Sequence, residues 1–175
     1  MKKFFPVCSA VLSGAVTAVI GVVMNAFLIP KIEMNTGGIR CFDMNFGYNY
    51  ETASEFLRLT GEEGRRIYLG YQLPLDFIYP VAYTLLFISL IVILTKKKTP
   101  LIVLPCALAL TDYTENILTE IMLRSAALSP SVVSAASAVT AAKTLLMYTT
   151  VLIVVFLIIR AIVKKFRKPE EKKEQ

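Results

Sequence analysis

The run Leu104-Pro105-Cys106-Ala107-Leu108-Ala109-Leu110-Thr111-Asp112-Tyr113-Thr114-Glu115-Asn116-Ile117-Leu118-Thr119-Glu120-Ile121-Met122-Leu123 is long and apolar enough to cross a bilayer, yet it carries three carboxylates and an amide. Hydrocarbon excludes such groups unless they face protein or water. A chain containing this run needs other spans around it, with inward faces that accept Asp112, Glu115, Asn116 and Glu120. A polytopic membrane bundle with a polar interior follows.

The rest of the chain supplies those spans. Of its 175 residues 55% are hydrophobic, the mean hydropathy is +0.61, and there is no Trp or His. A hydrocarbon core of about 30 Å takes about 20 apolar residues per helix. Four stretches reach that length, roughly 7–29, 71–94, 101–123 and 131–163. The expected fold is all-α. A single four-helix membrane domain fills 1–168, with a small outer cap over 30–70 that contains a short helix. A disordered charged tail is expected over 169–175. Lys2-Lys3 and Val16-Thr17-Ala18 resemble the ends of a signal peptide, but the helix's uncharged stretch, which runs on from residue 4 to residue 30, outruns the usual 7–15 residues, so a retained helix is expected.

The net charge of +6 does not point to nucleic acid, because the basic residues crowd beside helix ends: Lys2-Lys3, Lys96-Lys97-Lys98 and Lys164-Lys165 with Arg167-Lys168. By the positive-inside rule these place both termini and the 95–100 connection in the cytoplasm, and the cap outside. A bacterial plasma membrane is the preferred location, and anionic lipid the expected neighbour of the basic tail. Cys8, Cys41 and Cys106 show no paired spacing, so no disulfide framework is expected.

In the first helix Ser13, Thr17, Gly21 and Asn25 recur every fourth residue, a narrow stripe suited to close packing, with the Asn25 amide towards the outer end. In the cap, Gly37-Gly38 and Asn45-Phe46-Gly47 read as turns. Thr52-Ala53-Ser54-Glu55 matches a capping box opening a helix that stops near Gly61. Phe42, Phe46, Tyr48, Tyr50, Phe56 and Tyr68 either cover apolar surface at the bundle mouth or lie among lipid headgroups, the second being the expectation. Glu62, Glu63, Arg65 and Arg66 read as a solvated face.

In the second helix Gln72, Asp76, Tyr79 and Tyr83 share one side. Pro80 cannot donate to the carbonyl of Asp76, which leaves a carbonyl and a carboxylate in one turn. Either this is a cation or hydroxyl site, or a neighbouring Tyr or Thr satisfies the carbonyl. In the third helix Asp112, Glu115, Asn116 and Thr119 share a face, with Glu120 close to it, at depths overlapping Asp76. Ser129 and Pro130 start the fourth helix. There Ser134, Ala138 and Ala142 form a ridge for close helix approach. Lys143 needs a counter-ion from Glu115, Glu120 or Asp112. Tyr148 marks the start of an almost wholly aliphatic inner half.

Counting Asp76, Asp112, Glu115 and Glu120 against Lys143, the negatives exceed the positives by three. Low dielectric does not tolerate that surplus, so the acids bind protons, water or an incoming cation. Without His, and without Cys near the acids, zinc is not expected; no metal and no cofactor is assigned. No HExxH, GxSxG or phosphate-cradling glycine motif occurs.

The four-helix plan, the cap helix, the inward acids and Gln72-Leu73-Pro74 opening the second helix resemble the EXPERA group, which includes the sigma-2 receptor and emopamil-binding sterol isomerases. That resemblance implies a bundle cavity holding an amphiphilic, often cationic ligand, with acids stabilising ammonium or carbocation character. The isomerases use a His with acids and a Trp-lined cavity, residues this chain lacks, so binding is expected before catalysis. Any catalysis would be isomerase-like, on a lipidic substrate.

The expected function is binding of a cationic or amphiphilic, lipid- or sterol-like small molecule by Asp76, Tyr79, Tyr83, Asp112, Glu115, Asn116 and Lys143. Asn25, Gln72, Glu120 and Tyr148 are secondary. Proton- or cation-coupled transport and a non-enzymatic assembly role are the alternatives. Membrane lipids are expected partners, a homo-oligomer is open, and nucleic acid is not expected.

Overall fold

A computed structural model describes residues 4–96 and 99–167. Lys2-Lys3, Lys97-Lys98, Lys168 and the tail 169–175 lie outside the described residues. Every regular element among those described is helical. Helix α1 spans Phe4–Val23, α2 Ile29–Asn35, α3 Tyr50–Ile67, α4 Leu73–Thr95, α5 Val103–Arg124 and α6 Pro130–Arg167. Four continuous helical stretches are long and apolar enough to cross a membrane. In such segments helix is the only open-chain geometry that satisfies every backbone polar group internally.

Two of the expected boundaries move. The first span does not stop at 29: a π-turn over Met24–Leu28 joins α1 to α2, carrying the helix to Asn35. The second does not begin at 71, because another π-turn, Tyr68–Gln72, joins α3 to α4. Both π-turns end just before a proline, Pro30 and Pro74. Proline lacks the N–H that the α register requires and crowds the carbonyl four residues back, and widening the helix by one residue accommodates both.

The cap is packed more tightly than the sequence suggests. Gly37 and Gly38, at φ +66° and +94°, turn the chain after α2. Asn49, not Thr52, caps α3: its Oδ1 accepts from the Thr52 N–H at 2.8 Å. Gly61, at φ 59° and ψ −169°, breaks α3 where the sequence expects a stop, but the helix resumes to Ile67. Phe42, Phe56 and Tyr68 are buried with Ile32, Met122, Leu123, Val133 and Ala136, and Tyr48 is partly buried against them. Burial overturns the headgroup reading for Phe42, Phe56 and Tyr68, whereas Phe46 and Tyr50 are exposed. Nor is Arg65 on a solvated face: its guanidinium donates to Leu123 O at 2.7 Å and Leu57 O at 3.1 Å, tying the cap to the end of α5. Glu63 and Arg66 do form an exposed pair.

A second cluster of Ile91, Val154 and Leu157, with Leu94 and Leu101 against it, closes the opposite end of the bundle. Helix α4 is central, packing on α1, α5 and α6, while α1 and α6 make little direct contact. From the α1 stripe Gly21 faces the Tyr79 hydroxyl of α4, and one turn before the stripe Ser9 Oγ accepts from Ser89 Oγ at 2.9 Å. The ridge of Ser134, Ala138 and Ala142 instead points away from the bundle. Val133, Ala136 and Thr140 are the α6 positions turned inward, because the face bearing Lys143 must meet the acids.

Candidate functional site

The charged centre is built from α5 and α6. Glu115 is fully buried: Thr140 Oγ1 donates to its Oε1 at 2.6 Å, and Lys143 Nζ meets its Oε2 in a direct ion pair. Lys143 lies 3.8 Å from Asp112 Oδ1, and the Tyr83 hydroxyl donates to Asp112 Oδ2 at 2.8 Å. Asp112 and Glu115 are one helical turn apart, which is why one ammonium reaches both. The counter-ions of Lys143 are thus two of the three expected. Glu120 is not among them, since it turns outward to Arg124 at 2.8 Å.

Helix α4 adds Asp76, which is 9% exposed. Gln72 Nε2 donates to its Oδ2 at 3.1 Å, while Gln72 Oε1 is buried without a hydrogen-bond partner among the described residues. The carbonyl of Asp76, deprived of its helical donor by Pro80, accepts from Asn116 Nδ2 at 2.7 Å. A neighbouring side chain therefore does satisfy that carbonyl, but it is an amide, not a Tyr or Thr. Tyr79 and Tyr83 meet edge to face at 5.3 Å between centroids.

These groups surround a cavity of about 260 Å³. Asp76 and Tyr79 of α4, Asp112 of α5 and Lys143 of α6 line it, with Thr144, Met147 and Tyr148 further along α6. Its far wall is the first π-turn and α2, through Met24, Asn25 and Ile29, and the cap roofs it with Asp43 and Met44. Of the expected site residues, Tyr83, Glu115, Asn116 and Gln72 are buried and do not line the cavity, and Asn25 and Tyr148 sit at its exposed rim. Asn25 spends an amide hydrogen on Gly21 O at 2.9 Å.

Asp43 was not foreseen. It lies in the Phe42–Met44 turn, where no periodicity marks it, and its Oδ1 accepts from the Tyr68 hydroxyl at a long 3.4 Å. It takes the place of Glu120 in the charge count, so four carboxyl groups still surround one ammonium. Thr140 was also missed, although its spacing of three before Lys143 places the two on one face. Immediately before the Phe42–Met44 turn, burial together with Asp43, Glu33 and Asp76 pushes the Cys41 thiol well above its usual range. No cluster of three or more His, Cys, Asp or Glu among the described residues is placed to hold a metal ion.

No family model matches the chain, and no curated protein or solved structure does either. The site stands on its own chemistry. Lys143 compensates Glu115 and is shared with Asp112, which leaves Asp76 and Asp43 facing the cavity with no basic side chain paired to them among the described residues.

Proposed function

We propose that this membrane protein binds a cationic amphiphile in the acidic cavity at the cap end of its bundle. The observation that carries the reading is the commitment of Lys143 to Glu115 while Asp76 and Asp43 line open space. Buried carboxylates without a basic partner are costly, and an entering ammonium relieves that cost. Met24, Met44 and Met147, half of the six methionines in the chain, add a polarisable and adaptable apolar lining. Tyr79 and Tyr148 add aromatic rings to the lining, which a cation can engage. The half of the bundle away from the cap carries no Asp or Glu among the described residues, so a relay across the membrane lacks the groups it needs.

Residence in a plasma membrane with cytoplasmic termini belongs to the same proposal. It rests on Lys96, Arg160, Lys164 and Lys165 gathering at the end opposite the cap. Relation to the EXPERA group is likewise proposed, on the sequence features given above. The test is thermal unfolding of the purified chain in nonionic micelles with and without dodecylamine. Dodecylamine should raise the midpoint for the native chain and have little effect on Asp76→Asn. Equal shifts for both would reject the site.

A further inference from the structure

The cavity is roofed but not walled on every side. Asp43 and Met44 cover it towards the cap, whereas the flank between the Met24–Leu28 π-turn and α6 has exposed Asn25 and Tyr148 at its rim. Helices α1 and α6 make little direct contact there. Counting along α6 at 1.5 Å per residue, Tyr148 stands about 18 Å and Lys143 about 25 Å from Arg160 at the basic end. Were Arg160 to mark one edge of a hydrocarbon core of about 30 Å, the charged centre would lie just inside the far edge and the opening would face acyl chains.

Asp76 is the second observation. It is nine-tenths buried and lines the cavity, and only its Oδ2 has a hydrogen-bond partner among the described residues. Its Oδ1 is left free to accept from an occupant of the cavity. Charge-assisted N–H···O bonds are about twice as strong as neutral ones, and only an ammonium bearing hydrogens can make them. A quaternary ammonium is held by an aromatic cage instead. Two tyrosine rings and three methionines, in a chain without Trp, do not make that cage.

Building on the reading that the cavity takes a cation, we propose that its occupant is a long-chain primary amine that enters sideways from the lipid. The ammonium lies between Asp43 and Asp76, and the chain leaves between the Met24–Leu28 turn and α6. A zwitterionic amino-phospholipid presents the same ammonium, but its phosphate meets the surplus of acids with Lys143 already engaged.

Calorimetric titration of the full chain in nonionic micelles tests this with dodecylamine, dodecyltrimethylammonium, butylamine and a phosphatidylethanolamine. Dodecylamine should bind roughly tenfold or more tightly than each of the others. Asp43→Asn and Asp76→Asn should each weaken it by a similar factor, and either variant suffices if the other does not fold. Asn25→Trp should slow its association by narrowing the flank. Equal affinity for the two dodecyl cations overturns the headgroup assignment and leaves the cation site standing. Tightest binding by phosphatidylethanolamine overturns the net-cation occupant. Equal affinity for butylamine, or an unchanged rate in Asn25→Trp, overturns the lateral pose. If neither dodecyl cation binds, the cation site itself falls.

Discussion

Asn116 donates its side-chain amide to the backbone carbonyl of Asp76 at 2.7 Å, across the α4–α5 interface, and so replaces the bond that Pro80 cannot make. Asn116 and Asp76 are both buried, so the carbonyl has no water to fall back on. One contact thereby satisfies the carbonyl that Pro80 leaves open and ties α5 to the turn bearing Asp76.

Asn116→Ala should therefore destabilise the chain by about 1–3 kcal/mol, the cost of orphaning a buried acceptor. Pro80→Ala restores a backbone donor to the same carbonyl. In that background the Asn116→Ala cost should shrink, and a double-mutant cycle followed by thermal unfolding measures the coupling. Additive effects would mean that the two donors do not serve one acceptor.

Removing Lys143 strands Glu115. Lys143→Met should cost about 3–5 kcal/mol, because it leaves a buried carboxylate uncompensated. Adding Glu115→Gln should recover a large part of that loss. Glu120→Gln should stay within about 0.5 kcal/mol, since the Glu120–Arg124 pair is exposed. Unfolding in nonionic micelles ranks the three.

Gly61 occupies φ 59°, ψ −169°, a region nearly confined to glycine, although a Cβ there would meet no atom within 4 Å. Gly61→Ala should cost about 1–3 kcal/mol through backbone strain alone. A cost near zero would show that α3 is able to straighten.

The Cys41 thiol is buried and its proton affinity is raised in the fold by burial and three nearby carboxyl groups. A raised folded pKa gives stability that is fully present below the unfolded value and lost as pH rises. Above about pH 8.5 the unfolded thiol ionises first, so stability should fall by up to about 1.4 kcal/mol per pH unit from this group. Cys41→Ala should flatten that decline, as read from unfolding midpoints between neutral and alkaline pH. An unchanged slope would place its source elsewhere.

Much of the bundle was legible because hydropathy and period speak directly for spans and faces. Gln72 at the end of the second π-turn and Asp76 and Tyr83 on α4 are buried, as are Asp112, Glu115, Asn116 and Thr119 on α5, as their spacing requires. Lys143 finds Glu115 and Asp112. What escaped was set by groups outside that periodicity. Asp43 comes from an irregular turn, so only the folded cap delivers it to the cavity. Glu120 sits one residue past the inward face, and Arg124, one turn on, draws it outward. The ridge of Ser134, Ala138 and Ala142 faces away because α6 can present only one side to the acids, and Thr140 and Lys143 claim it. The π-turns before Pro30 and Pro74 shift the register by one residue, which hydropathy does not register.

The most direct measurement is an experimental structure of the chain with dodecylamine bound in a lipid nanodisc. The account predicts the nitrogen within hydrogen-bond distance of Asp76 and Asp43, with the alkyl chain passing between the Met24–Leu28 turn and α6. A nitrogen bound elsewhere, or an empty cavity with Asp76 turned to a protein partner of its own, would contradict it.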